Sequence, residues 1–117
     1  MEHGKIVYLS GKIAGNANYK MDFARAEEFL KKMGYIVINP ANLDEISKDL
    51  SYVQYLNICY KLLDISDIIF MVSGWQSSKG ANAELTYAKS LGKKTMYQDY
   101  YAPFRKGSES EEIRNNN

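Results

Sequence analysis

Residues 67–72, Asp-Ile-Ile-Phe-Met-Val, form an almost continuously apolar run that constrains the fold more than any other segment. A strand with apolar side chains on both faces must be covered on both faces, as strands in a parallel sheet are. Shorter runs rich in β-branched and aromatic residues occupy 5–10, 35–39 and 94–97. The chain is therefore expected to contain four strands.

Three helical patterns alternate with these strands. Apolar residues recur at intervals of three and four in residues 19–33, 51–63 and 78–91, which is the helical period. On one face of the first pattern lie Phe23, Ala26, Leu30 and Met33, and on one face of the second lie Tyr52, Leu56, Cys59 and Leu63. The corresponding face of the third contains Ala81, Ala88 and Leu91 together with the charged Glu84. Residues 41–50 are polar and are predicted to be irregular. This alternation predicts an α/β fold with a parallel sheet and helices on both of its faces.

The length of 117 residues suits one domain with one hydrophobic core. Charged residues make up 25% of the chain and apolar residues 45%, which is the usual balance of a globular protein. We assign residues 1–104 to the domain. Residues 105–117 are polar and end in three Asn, so they are predicted to form a disordered tail.

The composition also argues against several classes of function. The net charge is +1 and no basic run is visible, so no nucleic-acid polymer is predicted as a partner. One cysteine and one histidine, His3, predict neither a metal site nor a Ser-His-Asp triad. No apolar run approaches about 18 residues, so no membrane association is expected. The first residues lack the pattern of a signal peptide, and the expected location is the cytoplasm.

Glu84 stands out because it places a carboxylate on an otherwise apolar helix face. Burying a lone carboxylate is costly, so such a group needs a partner or a task. Burial would also raise its pKa and poise it for chemistry. The alternative is a Glu at the edge of the stripe that reaches solvent. Loops that follow Ser10 and Val72 leave the carboxyl ends of their strands, where such sheets bind ligands, so both loops are expected to face one crevice with Glu84.

The two loops offer weaker signals, each with an ordinary alternative. Gly11 and Gly15 would let a ligand approach the backbone, or they form a simple turn. Lys12 would bind phosphate, or it is a solvated side chain. Ser78, with Ser77 before it, would hold an anion at a helix N-terminus, although capping that helix is the simpler role.

A wider set of motifs carries a family resemblance. It comprises residues 8–15 (Tyr-Leu-Ser-Gly-Lys-Ile-Ala-Gly), the Asn39-Pro40 turn, residues 74–84 (Gly-Trp-Gln-Ser-Ser-Lys-Gly-Ala-Asn-Ala-Glu), Ala88, and Leu91-Gly92. In combination these motifs resemble the nucleoside 2-deoxyribosyltransferase superfamily, and within it the small bacterial and phage DUF4406 branch. The resemblance covers roughly residues 5–97.

The resemblance implies a flavodoxin-like or Rossmann-like fold, that is, a doubly wound parallel sheet in three α/β/α layers. Members of the superfamily cleave or exchange the N-glycosidic bond of nucleosides or nucleoside monophosphates without a cofactor or metal. Glu84 matches the family nucleophile, and Ser78 matches a phosphate-contacting Ser of the monophosphate hydrolases. The resemblance, together with the loop patterns, gives the candidate substrate contacts, which are Tyr8, Ser10, Gly11, Lys12, Ile13, Gly15, Trp75, Ser77, Ser78 and Gly80.

One departure from the family pattern bears on catalysis. Cys59 aligns with a second-helix Asp that helps to protonate the leaving base or to position the ribose, and a thiol cannot replace it. Cys59 also fits its apolar stripe and is then simply part of the core. The expected function is cleavage of the N-glycosidic bond of a nucleoside or nucleoside monophosphate by Glu84. The alternative is a protein that binds and sequesters a nucleotide-like signal, as a phage protein would in the host cytoplasm. A homodimer or larger homo-oligomer is expected, because family sites are commonly completed by a neighbouring subunit.

Overall fold

A computed structural model describes residues 4–101 of the chain, and the side chain of Asp44 is not described. His3 and the tail predicted at residues 105–117 lie outside the described residues. Among the helices of the described part, none is long and apolar enough to cross a membrane.

Four parallel strands form one sheet in the order β2-β1-β3-β4. The strands are β1 (Ile6–Ser10), β2 (Ile36–Ile38), β3 (Ile68–Met71) and β4 (Lys94–Tyr97). Tyr8 of β1 lies beside Ile38 on one side and Ile69 on the other. From β1 the chain continues to β2 on one side of the sheet, and from β3 it continues to β4 on the other side. The strand order therefore reverses between β1 and β3, which creates a topological switch point there.

The described helices are α1 (Tyr19–Lys32), α2 (Asp44–Ser47), α3 (Tyr52–Asp64) and α4 (Lys79–Ser90). Short 3₁₀ turns occupy Pro40–Leu43, Trp75–Ser77 and Gln98–Tyr100. The interpretation of residues 41–50 as irregular was therefore wrong, because a 3₁₀ turn and the four-residue α2 lie there. Neither element is long enough to show a helical period in the sequence. Leu91 was placed on the buried stripe of α4, but it lies just beyond the helix and is 45% exposed.

Local signals in the sequence fix where α3 and α4 begin. Ser51 and Gln54 form a capping box, in which the Gln54 backbone N–H donates to Ser51 Oγ and the Ser51 N–H donates to Gln54 Oε1. Ser78 Oγ accepts a hydrogen bond from the Ala81 backbone N–H at 3.1 Å and so caps α4. These caps set the residues at which both helices begin.

Helices cover both faces of the sheet, because alternate side chains of each strand point to opposite faces. One face, which we call the α1 face, buries a hydrophobic cluster formed by Val7, Leu9, Phe23, Ala26, Leu30, Tyr35, Ala41, Ile68, Phe70, Val72 and Met96. The other, the α3–α4 face, buries Tyr8, Cys59, Leu63, Ile69, Met71, Ala81, Leu85 and Ala88. Ser10 and Glu84 are buried as well, and they contact each other. The predicted doubly wound, three-layer α/β fold is confirmed.

Candidate functional site

A pocket of about 280 Å³ opens at the carboxyl ends of β1 and β3, at the switch point. Its wall comes from the end of β1 and the loop after it, the start of α1, the turn after β2, the end of α2 and the segment after it, the start of α3 and the first turns of α4. The lining residues are Leu9, Gly11, Ile13, Ala14, Tyr19, Phe23, Pro40, Ala41, Ser47, Leu50, Ser51, Tyr52, Tyr55, Ser78, Gly80, Ala81 and Glu84. Ligands of open α/β sheets bind at this position in the fold.

Glu84 lines this pocket although its side chain is almost fully buried, with 7% exposed. Its Oε1 accepts a hydrogen bond of 2.6 Å from Ser10 Oγ, and its Oε2 accepts one of 2.9 Å from the Tyr8 hydroxyl. Tyr8 and Ser10 are two residues apart on β1, so both point toward α4. The two hydroxyls hold the carboxyl group in one orientation.

Two opposing effects act on the Glu84 pKa. Burial, the larger one, raises the pKa above its usual value, because the charged form loses contact with water. Hydrogen bonds from Ser10, Tyr8 and Cys59 lower the pKa and offset part of the rise, because they favour the carboxylate. Glu84 is thus a buried acid whose ionised form is stabilised by three neutral hydrogen-bond donors.

Cys59 lies inside the protein beside this group. Its side chain has no exposed surface, and burial followed by the nearby Glu84 raises the pKa of its thiol to about 12. The thiol therefore keeps its proton at neutral pH and interacts with the hydroxyls of Tyr8 and Tyr55. Burial and the neighbouring Glu84 likewise raise the pKa of Tyr8 well above its usual value. The α3 position nearest the carboxylate thus offers a weak hydrogen-bond donor and no second acid.

Sequence comparison assigns the family. The family model described as "Domain of unknown function (DUF4406)" matches residues 5–97. The chain belongs to the DUF4406 family. The predicted resemblance is thereby confirmed for most of the compact part of the chain.

The fold is also similar to that of a solved structure, the 2-desoxiribosyltransferase from Leishmania mexicana. The match has a TM-score of 0.62 at 20% sequence identity and covers 80% of this chain. The chain spans 63% of the length of that protein. At this identity the likeness establishes a shared fold. No curated protein matches the sequence.

The loop after β1 contributes to the DUF4406 pocket through Gly11 and Ile13. A Cβ atom at Gly11 would lie 2.9 Å from Val72 Cβ and 3.1 Å from Phe23 Cε1, which is too close. Gly11 is therefore required by the packing of the α1 face, a constraint separate from any ligand. Gly15 has a φ of +78° and lies outside the pocket lining, so its place in the turn accounts for the glycine.

Lys12 and the serines before α4 form the rim. Lys12 Nζ donates to Ser77 Oγ at 3.4 Å, and neither residue belongs to the lining. Ser78 and Gly80 do line the pocket, and Ser78 combines this position with capping α4. Trp75 packs away from the pocket, with its ring centroid 5.9 Å from that of Tyr97.

Three tyrosines in the lining were not predicted as site residues, namely Tyr19, Tyr52 and Tyr55. Tyr52 was assigned only to the apolar stripe of α3, and Tyr55 was not singled out. The abundance of tyrosine, 10 in the chain, was the only signal available. Their convergence depends on where α1 and α3 lie relative to the sheet, which spacing within one helix does not determine.

Proposed function

We propose that this DUF4406 protein cleaves the N-glycosidic bond of a nucleoside or nucleoside 5′-monophosphate, with Glu84 as the nucleophile. The observation that carries the proposal is the position of Glu84, a buried carboxyl that faces a pocket and is aligned by two hydroxyls. A carboxylate of this kind suits a double displacement at an anomeric carbon with an oxocarbenium-like transition state.

In the proposed reaction a Glu84 oxygen attacks C1′ of the sugar while the bond from C1′ to the base breaks. The base leaves with the electron pair of that bond and takes up a proton from solvent. Water then attacks C1′ of the glycosyl-enzyme, returns a proton to solvent and releases the sugar and the Glu84 carboxylate. Tyr8 and Ser10 would keep the attacking oxygens in place, because each donates to one of them. Their hydrogen bonds also favour the ionised form that attack requires.

The 5′ end of the substrate would lie toward the start of α4. Ser78 and the free N–H groups of the first α4 turn favour an oxygen-rich or anionic group there. Lys12 contacts Ser77, the residue before Ser78, and so places a positive charge near the start of α4. We therefore favour a 5′-monophosphate as substrate over an unphosphorylated nucleoside.

The test is incubation with ribo- and deoxyribonucleosides and their 5′-monophosphates, followed by chromatography for free base, with Glu84→Gln as the matched control. Gln has the same shape and can still accept a hydrogen bond, but it is a poor nucleophile. Base release by the native protein that disappears in Glu84→Gln is the expected result. No base release from any compound would overturn the proposal.

Binding without turnover is the second candidate, and the side chain at position 59 favours it. General acid help is commonly worth about 100-fold or more, and a buried thiol with a pKa of about 12 supplies little of it. A pocket of this kind would retain a nucleotide-like molecule intact. The mass of ligand released from purified protein separates the two candidates, because sequestration predicts an intact nucleotide, whereas cleavage predicts free base or sugar phosphate.

We also propose that the protein forms a homodimer or larger homo-oligomer. Exposed apolar side chains on α3, among them Tyr52, Val53 and Ile58, would be covered by a second copy. Sedimentation velocity measures the mass in solution, and a monomer at all concentrations tested would contradict this proposal.

A further inference from the structure

The pocket lining contains almost no charged side chains. Among its described lining residues, Glu84 is the only side chain that carries a formal charge, and the others are apolar residues, serines and tyrosines. Two lysines stand nearby without joining the lining. Lys12 Nζ contacts Ser77, and Lys79 Nζ lies 5.2 Å from the centroid of the Tyr52 ring. The interior therefore presents one carboxyl group among aromatic rings.

The scarcity of acidic side chains in the lining affects how the base can leave the sugar. A neutral base departs as an anion unless it receives a proton, and an enzyme normally provides that proton from a side-chain acid. The groups beside Glu84 that carry a proton are the hydroxyls of Ser10, Tyr8 and Tyr55 and the thiol of Cys59. Burial raises the pKa of Tyr8, Tyr55 and Cys59, so each of them holds its proton and donates only a hydrogen bond. Ser10 is an aliphatic alcohol and likewise donates only a hydrogen bond.

We infer that the site is built for N-glycosides whose base is already cationic, such as N7-alkylated purine or pyridinium nucleosides and their 5′-monophosphates. This inference rests on the proposed cleavage at Glu84 and narrows its substrate class. It follows from the lining, which offers a nucleophile without a partner acid among the residues described there.

The chemistry balances without an acid. Glu84 forms a bond to C1′, and the electron pair of the C1′–N bond moves to the ring nitrogen and neutralises the cationic base. The base departs neutral and takes no proton. Water then displaces Glu84 from C1′, and one proton passes to solvent. The net change is cationic N-glycoside and water to free sugar, neutral base and a proton.

The attraction between the pocket and its ligand also favours a cationic base. A cationic ring is attracted to the Glu84 carboxylate, and its positive charge would in turn favour the ionised form of Glu84. The faces of tyrosine rings also attract cations, with an energy of about 0.5–2 kcal/mol per contact. Tyr19, Tyr52 and Tyr55 all line the pocket, and Lys79 Nζ already lies over one face of the Tyr52 ring. An uncharged base would gain stacking from these rings but no charge attraction.

The test compares 7-methylguanosine 5′-monophosphate with guanosine 5′-monophosphate, which differ by one methyl group and the charge it fixes. Rates are taken as base release above that of Glu84→Gln, which removes the spontaneous loss of methylated base. We expect kcat/KM to be at least about 100-fold higher for the methylated nucleotide, the usual minimum worth of acid help. Nicotinamide mononucleotide, a pyridinium, should also release its base.

The remaining outcomes separate this inference from the function on which it rests. Cleavage of both guanosine nucleotides at rates within tenfold of each other would overturn the inference and leave cleavage at Glu84 standing. Cleavage of neither nucleotide, nor of nicotinamide mononucleotide, would overturn both.

A variant pair provides a second readout. Cys59→Asp introduces a carboxyl group beside Glu84, and Cys59→Asn has the same shape without the acid. We expect Cys59→Asp to raise the rate on guanosine 5′-monophosphate relative to its methylated analogue by about tenfold or more. Cys59→Asn should leave that ratio unchanged. An equal ratio in both variants, each confirmed to be folded by thermal denaturation, would count against the inference. If Cys59→Asp does not fold, the substrate comparison still decides.

Discussion

The two faces of the sheet differ in the chemistry of the groups that they bury. The α1 face contains apolar and aromatic side chains, with Phe70 and Leu30 completely buried. The α3–α4 face buries a carboxyl group, Glu84, together with the hydroxyls of Tyr8 and Ser10. The same strands contribute to both faces, because successive side chains of β1 point to opposite sides of the sheet. Val7 and Leu9 point to the α1 face, and Tyr8 and Ser10 point to the α3–α4 face.

This difference predicts separate contributions to stability and function for most residues, although Leu9, Phe23 and Ala41 of the α1 face also line the pocket. Apolar packing on the α1 face stabilises the fold without chemical selectivity. The polar groups on the opposite face lower stability unless each of them has a hydrogen-bond partner. Substitutions on the two faces should therefore have opposite effects on stability and activity, and four experiments examine this contrast.

Glu84→Gln should have the largest effect. If Glu84 is the nucleophile, kcat/KM for base release should fall on the order of 10³-fold or more, while the folded structure persists because Gln is isosteric. Activity assays and urea denaturation of the same preparation check both parts. Activity within tenfold of the native protein would remove Glu84 from the reaction and end the contrast.

Leu30→Ala should show the reverse pattern. Leu30 is completely buried in the α1 face and lies outside the pocket lining, so its truncation leaves a cavity far from the chemistry. The free energy of unfolding should fall by about 2–5 kcal/mol. Activity per folded molecule should stay within about twofold, measured where both proteins are folded. A large loss of activity at full folding would show that the two faces are coupled.

Tyr8→Phe should give an intermediate effect on both quantities. It removes the donor to Glu84 Oε2 and leaves a buried charge less well satisfied, so stability should fall by about 1–3 kcal/mol. The Glu84 pKa should rise further, which moves the acid limb of the pH profile of kcat/KM to higher pH. Tyr97→Phe is the control, because Tyr97 lies outside the lining. An unmoved acid limb would mean that Tyr8 does not tune Glu84.

The pH dependence of stability should give the smallest effect. The Glu84 pKa is raised in the folded state above its usual value of 4.5. Below about pH 4.5 both states are protonated, and as the pH rises toward the folded pKa only the unfolded state ionises, so this contribution to stability is lost. The native protein should therefore lose stability relative to Glu84→Gln across this window and no further above it. Denaturation at pH 4–8 measures the difference, and a constant difference would place the folded pKa near 4.5.

Much of the site's framework could be predicted because it depends on local patterns. The strand at residues 94–97 and the start of α1 at Tyr19 agree with the structure, and Glu84 was singled out by its place on an apolar stripe. Ser78 was assigned a capping role from its position before a helix, and it has that role. Such signals depend on side chains within about four residues of each other, so one sequence is sufficient to show them.

The aromatic wall of the pocket could not be predicted in the same way. Tyr55 and Tyr19 belong to different helices, and they meet in one lining only after both helices pack on the sheet. The same holds for Trp75, which the sequence offered as a contact and the structure places against Tyr97. Contacts between residues distant in sequence depend on the relative placement of whole elements.

The sequence by itself determined the layered α/β architecture, the Ser78 cap of α4 and the carboxylate on an apolar helix face, because periodicity and turn chemistry act over a few residues. Only the tertiary structure decided what surrounds that carboxylate. Ser10 lies 74 residues from Glu84 in the chain, yet its hydroxyl donates to it at 2.6 Å. The parallel order of β1 and β3 and the packing of α4 across them bring the two together, and burial then sets the charge that the group can carry.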